Sequence, residues 1–314
     1  TVALPEMRRG RVGLSIATLL ARSTGRPVAH LDFDSHEQAY ATAQGQLAYY
    51  RALEASGIIH VITDAGELDA NVQAWQASGD DDTPPFGMII SMESADPIRA
   101  PEQLEAWWAA GLRLIGPGHY GLGRYVGGTS VENGFNAQGE RLLRRMDEIG
   151  FILDLTHLPD QAFWYALDHF GSTVIASHNN CRALVPHQRQ FSDDQIRAIS
   201  ARGGVIGVAL DTWMLQPGWI KDVSTNEGVT LEHVVDHIDH ICQLTGSHDH
   251  VGIGSDLDGG YGREQSPADL DTIADLQNLA LILERRGYGE DAMTAIFYGN
   301  FVRLLRRAWG ASVP

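Results

Sequence analysis

Short apolar runs recur along the chain, and most are followed by a longer stretch whose apolar residues return every three or four positions. The runs Val12–Leu19, Phe86–Met92, Leu112–Gly118, Phe151–Thr156, Thr173–Ser177, Val205–Leu210 and Val251–Ser255 are rich in Ile, Val and Leu and alternate poorly. Parallel strands covered on both faces read this way. A shorter run, Ile58–Ile62, precedes a turn and reads as a minor strand.

Between the runs lie amphipathic segments. Ser35–Ser56 carries Tyr40, Ala43, Leu47, Tyr50 and Leu53 at helical spacing, and Pro101–Ala110 opens with proline at a favoured first helical position. Gly139–Ile149, Pro159–Phe170, Ser192–Arg202, Thr230–Thr245 and Ser266–Arg286 follow, with two C-terminal helices over 289–297 and 300–308. Ser192 with Gln195 forms a capping box.

Strand–helix alternation of this regularity predicts a parallel α/β fold. Seven strong strands are one short of the eight of a TIM (β/α)8 barrel. The expectation is therefore one barrel domain over residues 1–314 whose first strand is missing from the chain. The rival, a doubly wound open sheet, lacks the Gly-x-Gly-x-x-Gly that should follow its first strand. The glycine-rich stretch Gly116–Gly128 follows a middle strand without the Lys-Ser/Thr of a phosphate loop, and reads as an active-site loop. The acidic stretch Gly79–Pro85 reads as a solvated connector.

Composition narrows the function. Apolar residues make up 44% of the chain, enough for a sizeable core, and 23 Lys+Arg against 40 Asp+Glu leave a net charge of −17. Such a field repels phosphate backbones and anionic membranes, which argues against a nucleic-acid partner. Lys221 is the one lysine, a bias toward arginine that we read as genomic. Two cysteines, Cys181 and Cys242, build neither a disulfide framework nor a cysteine zinc site. No run is long enough for a membrane helix, and no signal segment opens the chain. With no lipid-anchor signal at the C-terminus, cytoplasmic is the default location. The chain begins at Thr1 and reads as having lost its natural start.

The thirteen histidines carry the chemistry forward, because of where some of them fall. Glu93, His119, His157, His178 and Asp256 each close an apolar run. In a (β/α)8 barrel these positions point into one mouth, where the active site lies. Five buried polar residues make an awkward core, since each needs a partner. Imidazole and carboxylate suit zinc, which lowers the pKa of bound water and polarises a carbonyl. Glu93 is the natural bridge between two metals, and Asp256 suits a general base returning a proton to a leaving amine.

Other constellations weigh less. His233, His237 and His240 share a helical face without the Glu of His-Glu-x-x-His, and read as structural. His248 and His250 precede the last strand, at the end opposite the mouth. His30-Leu31-Asp32 has the spacing of a metal-binding tripeptide but sits in a connector. In the loop Ser177–Asp194, Arg182 or Arg189 could fork onto a substrate carboxylate.

Taken together, these pieces resemble the membrane (renal-type) dipeptidases, the M19 metallopeptidases of the amidohydrolase-like barrels. The resemblance rests on "ILDLTH" with His157, "VIASHNNCRALVPHQRQFSDDQI" with His178 and Arg189, "ARGGVIGV", "VDHIDHI", "VGIGSDLDG" with Asp256, and "YGNFVRLL". It implies a binuclear zinc site and hydrolysis of dipeptides, sometimes with a D-residue at the C-terminal position. By position, Glu93 would bridge the metals, and His157 and His178 would bind the second zinc. His119 would contact substrate or the tetrahedral intermediate, Arg189 would hold the C-terminal carboxylate, and Asp256 would shuttle the proton. Asp258 also matches the motif and is expected to stand behind the ligands. Many barrel hydrolases dimerise, although no interface is legible here.

The chain departs from the family in lacking the His-x-Asp that ends the family's first strand and supplies the first zinc. An absent strand and an absent ligand pair are then one absence, explained by truncation or by loss of the first metal site. A barrel short of a strand would expose two parallel edges, which favours truncation. Activity is expected provided those ligands lie upstream of Thr1. Two other readings stay open: another amide or lactam hydrolase of the amidohydrolase type, and a non-catalytic barrel with an incomplete metal site.

Overall fold

The computed structural model describes residues 1–79 and 83–310. The acidic centre of the expected connector and the last residues of the C-terminal stretch lie outside these.

Among the described residues eight strands form: β1 (Leu14–Leu20), β2 (Ile59–Val61), β3 (Phe86–Glu93), β4 (Leu112–Gly116), β5 (Ile152–Asp154), β6 (Val174–Ile175), β7 (Ile206–Val208) and β8 (Val251–Ile253). All neighbouring strands run parallel, as the strand–helix alternation requires. The chain divides into two compact units. Of the described residues, one comprises 13–175 and 306–310, the other 1–12 and 176–305.

The first unit holds a six-stranded sheet in the order β1-β3-β4-β5-β6. The minor strand β2 pairs with the start of β3, and β4 with its end. β3 and β4 are buried almost throughout, which explains their lack of alternation. β1 is only half-buried and alternates over its second half. The register sets Leu20 level with Glu93, and Glu93 level with Gly116, so the three strands end together.

In the second unit β7 pairs with β8, and Ala176 bridges to Ile206. Gly207 and Gly254 permit this contact, because a Cβ on either would lie about 2 Å from the Ser177 carbonyl oxygen.

Helices His36–Ala55, Ala137–Ile149, Asp160–His169, Asp193–Ala201 and Leu231–Thr245 form close to where periodicity places them, and the capping box at Ser192 is present. Three helices have no counterpart among the expected ones. Ala65–Ala77 has a weak apolar stripe in which Asn71 occupies a buried position and donates to the Gly13 carbonyl at 3.1 Å. Leu4–Arg9 and Thr212–Leu215 are too short for a period to show. The expected helix over Ser266–Arg286 begins late, with a 3-10 segment at Ile273–Gln277 leading into α-helix at Asn278–Arg285. A π-helical turn, Ala295–Gly299, joins the last two helices. Among the described residues no helix is long and apolar enough to cross a membrane.

Candidate metal centre

In the first unit, parallel strands deliver three candidate ligands from successive ends. Glu93 is the last residue of β3, while His119 and His157 follow the ends of β4 and β5 in short turns. The backbone bends sharply there: Ser94, next to Glu93, has φ 67° and His157 has φ 68°. Non-glycine residues rarely enter this left-handed region, and when they do it is often at functional sites.

The donor atoms of Glu93, His119 and His157 all lie within 4.8 Å of one another. His157 Nε2 is 3.0 Å from Glu93 Oε1, and His119 Nε2 is 3.7 Å from the same oxygen. Ligands about 2.1 Å from a tetrahedral zinc sit roughly 3.4 Å apart, so the donor set and its spacing fit one ion. The two imidazoles lie 4.5 Å apart between centroids, and Tyr120 packs edge-on against His157 at 5.1 Å.

The opposite nitrogen of each ring is also engaged. Thr129 Oγ1 is 2.9 Å from His157 Nδ1. The hydroxyl can accept Nδ1–H, which leaves the Nε2 lone pair directed toward Glu93 and a metal. Thr129 directly follows the glycine-rich loop and donates its backbone N–H to the His119 carbonyl at 2.7 Å. Gly128 allows that approach, since a Cβ there would lie 1.9 Å from the His119 carbonyl oxygen. Arg22 NH1 is 2.8 Å from His119 Nδ1.

The second unit carries the other predicted residues. His178 Nε2 is 4.0 Å from Asp256 Oδ2, and Ser177 Oγ is 2.9 Å from His178 Nδ1. Asp256 and Asp258 are left-handed, with φ 55° and 61°, and Asp258 accepts the Val2 N–H at 2.6 Å. Arg189 is buried: its guanidinium donates to the His178 carbonyl at 2.8 Å and to the Asn179 side-chain oxygen. Arg182 donates from Nε to the Gln190 carbonyl at 2.9 Å, shaping the same loop.

Of the residues singled out from the sequence, Glu93 and His157 thus meet His119 in one candidate ligand group, and His178 lies beside Asp256 in a separate pair. The tripeptide His30-Leu31-Asp32 forms no ligand group. Asp32 is buried and accepts from Arg22 and Thr24, while His30 is exposed.

Three polar residues near these groups were not anticipated. Thr129 and Arg22 have no local signal, because their partners are distant in sequence. Asp211 had one, as it follows the run ending at Leu210 just as His157 follows "FILDLT". Burial pushes its carboxyl up to about 6, against hydrogen bonds from Gln265 and Trp213 that pull the other way.

A family model described as membrane dipeptidase (peptidase family M19) matches residues 1–312. An uncharacterized Klebsiella pneumoniae protein from the pqqA 5′ region is 32% identical over 214 residues, 66% of this chain and 76% of that protein. Dipeptidase tcpJ of Claviceps purpurea is 32% identical over 200 residues, 62% of this chain and 44% of its own. Dipeptidase 3 of Rattus norvegicus is 31% identical over 175 residues, 56% and 33% respectively. The chain thus spans half or less of the length of these two dipeptidases. Among solved structures, a dipeptidase of family M19 superposes with a TM-score of 0.84 at 25% identity, covering 99% of this chain and 90% of that one. A Rhodobacter sphaeroides metallopeptidase, solved with a phosphinate mimic of L-Ala-D-Ala, shares the fold with a TM-score of 0.82 at 24% identity, covering 98% and 90%.

Proposed function

The chain belongs to the membrane dipeptidase family, peptidase family M19, and from that premise we propose that it is a zinc-dependent dipeptidase. The observation that carries this reading is that Glu93, His119 and His157, a carboxylate and two imidazoles, meet from three successive strand ends, with Glu93 and His157 read as ligands and His119 as facing the substrate. Zinc bound at such a site supplies a Lewis acid for the scissile carbonyl and lowers the pKa of water.

The chain's own residues take the remaining tasks. Glu93 neutralises metal charge, and His157 presents Nε2 with its ring held by Thr129. From the family resemblance we add His178 as a further ligand and a second zinc. Asp256 takes the proton from the attacking water and returns it to the leaving amine. His119 contacts the substrate carbonyl, and Arg189 receives the C-terminal carboxylate. A single (β/α)8 barrel belongs to the same reading, supported by the likeness to a solved family member over nearly the whole chain. A homodimer and a cytoplasmic location complete it, to be read by light scattering and cell fractionation.

Protein purified without chelator should carry zinc and hydrolyse members of a dipeptide panel. Absence of zinc, or hydrolysis unaltered in His157→Ala, would reject the reading.

A second reading, a broader amide or lactam hydrolase, is favoured by one observation. The Arg189 guanidinium is already engaged by His178 and Asn179. Comparing dipeptides with their C-terminal amides separates the two, since a dipeptidase requires the free carboxylate and the broader enzyme does not.

A further inference from the structure

Arginine has no acceptor, so the 2.8 Å contact between Arg22 NH1 and His119 Nδ1 has one polarity: Arg22 donates and His119 accepts. A neutral imidazole accepting at Nδ1 carries its proton at Nε2. That is the nitrogen facing Glu93. His157 stands in contrast, because its Nδ1 faces a hydroxyl that can accept. Of these two histidines with rings 4.5 Å apart, only His119 has its tautomer fixed from behind, because the Thr129 hydroxyl at His157 can either donate or accept.

We propose that Arg22, held by Asp32, is a positioning residue that locks His119 in the Nε2–H form. His119 is thereby kept out of the metal's ligand set and presents a hydrogen-bond donor to the substrate oxygen. This rests on the dipeptidase reading for its oxygen, but not for its tautomer.

The surroundings of Arg22 fit the role. Leu20, level with Glu93, ends β1, so the chain reaches Arg22 directly beside the ligand group. Asp32 accepts Arg22 Nε at 2.8 Å and also the Thr24 backbone N–H at 3.0 Å and hydroxyl at 2.5 Å. Its side chain is 1% exposed and that of Arg22 12%, which shields the pair from the screening that weakens surface ion pairs. The backbone is fixed on both sides: Arg22 N–H donates to the Leu31 carbonyl at 3.0 Å, and Ser23 N–H to Asp96 at 2.8 Å. A guanidinium gripped at Nε has little freedom left at NH1, so its donor direction is preset.

The geometry also separates two jobs that spacing alone merges. Glu93, His119 and His157 are close enough to be three ligands. Only an imidazole with an unprotonated Nε2 can ligate through that atom while it faces Glu93. By this argument His157 ligates and His119 donates.

The test reads the ring nitrogens directly. Zinc-free protein labelled with ¹⁵N-histidine is examined by NMR at neutral pH, with His119 assigned by its loss in His119→Gln. The native ring should show a protonated Nε2 and an unprotonated Nδ1. In Arg22→Met the proton should redistribute toward Nδ1, and Asp32→Asn should give a smaller change in the same direction. On the zinc-loaded enzyme, kcat for a cleaved dipeptide should fall about 10- to 100-fold in Arg22→Met with KM within about threefold, the scale for losing a group that orients a site residue. A native His119 protonated at Nδ1, an unmoved tautomer in Arg22→Met, or a kcat loss no larger than the unfolded fraction would overturn the proposal. If Arg22→Met does not fold, the native tautomer and Asp32→Asn decide by the same criteria. The NMR arm uses neither zinc nor substrate. A protein that cleaves no dipeptide but shows the Arg22-dependent tautomer rejects the dipeptidase reading alone, and an active one with an unmoved tautomer rejects this inference alone.

Discussion

Two regions hold three clustered imidazoles or carboxylates each, and they put them to opposite use. In the helix Leu231–Thr245, His233, His237 and His240 have separate partners. His233 caps Thr230, and its Nδ1 accepts the Thr230 N–H at 3.1 Å. His237 is buried and accepts the Cys181 N–H at 3.1 Å. His240 pairs with Asp193 at 2.8 Å. At the ends of β3, β4 and β5, by contrast, Glu93, His119 and His157 point their donor atoms at one another. On the helix the three rings share a face but each is turned to its own partner, while the strand ends of a parallel sheet aim theirs at a common point. Convergence of donors, and not the number of histidines, marks the candidate metal centre.

Four substitutions would break or sharpen this contrast, in falling order of effect. His157→Ala should remove zinc and lower dipeptide hydrolysis by more than about 100-fold, beyond the loss caused by disturbing a ligand's partner. Metal analysis and steady-state kinetics read both. Thr129→Val keeps the ligand but removes the oxygen behind it, and should weaken zinc binding about 10- to 100-fold in a chelator competition. Equal losses in the two variants would show that His157 is not itself a ligand.

His237→Ala should leave zinc content unchanged and cost about 1–3 kcal/mol in urea unfolding, because the Cys181 N–H is left buried without its acceptor. Burial, reinforced by His240 and His233, holds the His237 pKa down to about 3. The unfolded chain takes up a proton near pH 6.5 that the folded ring refuses, so stability falls as pH drops from about 6.5 toward 3. His237→Ala should flatten that part of the stability profile, and loss of zinc in this variant would undo the contrast. His240→Ala disturbs a partly exposed pair with Asp193 and should cost less than about 1 kcal/mol, shrinking further in high salt.

Much of the architecture was legible in advance because it rests on local rules. Continuous apolar runs became buried parallel strands, and the Ser192–Gln195 box became a helix start. The helix Ala65–Ala77 escaped because Asn71 fills a core position through a hydrogen bond to Gly13, which no hydropathy pattern shows. Asp211 escaped although its place after an apolar run followed the same rule as His157.

The sequence alone therefore determined which residue types end the strands, and with them the family and the class of chemistry. It could do so because strand direction and side-chain order follow the chain. Only the tertiary structure decided which nitrogen of each histidine meets which neighbour. Arg22 lies far from His119 in sequence, Thr129 lies far from His157, and Asp32, in the tripeptide set aside as a connector, holds an arginine. A ring's tautomer depends on contacts across strands, so no reading along one strand could assign it.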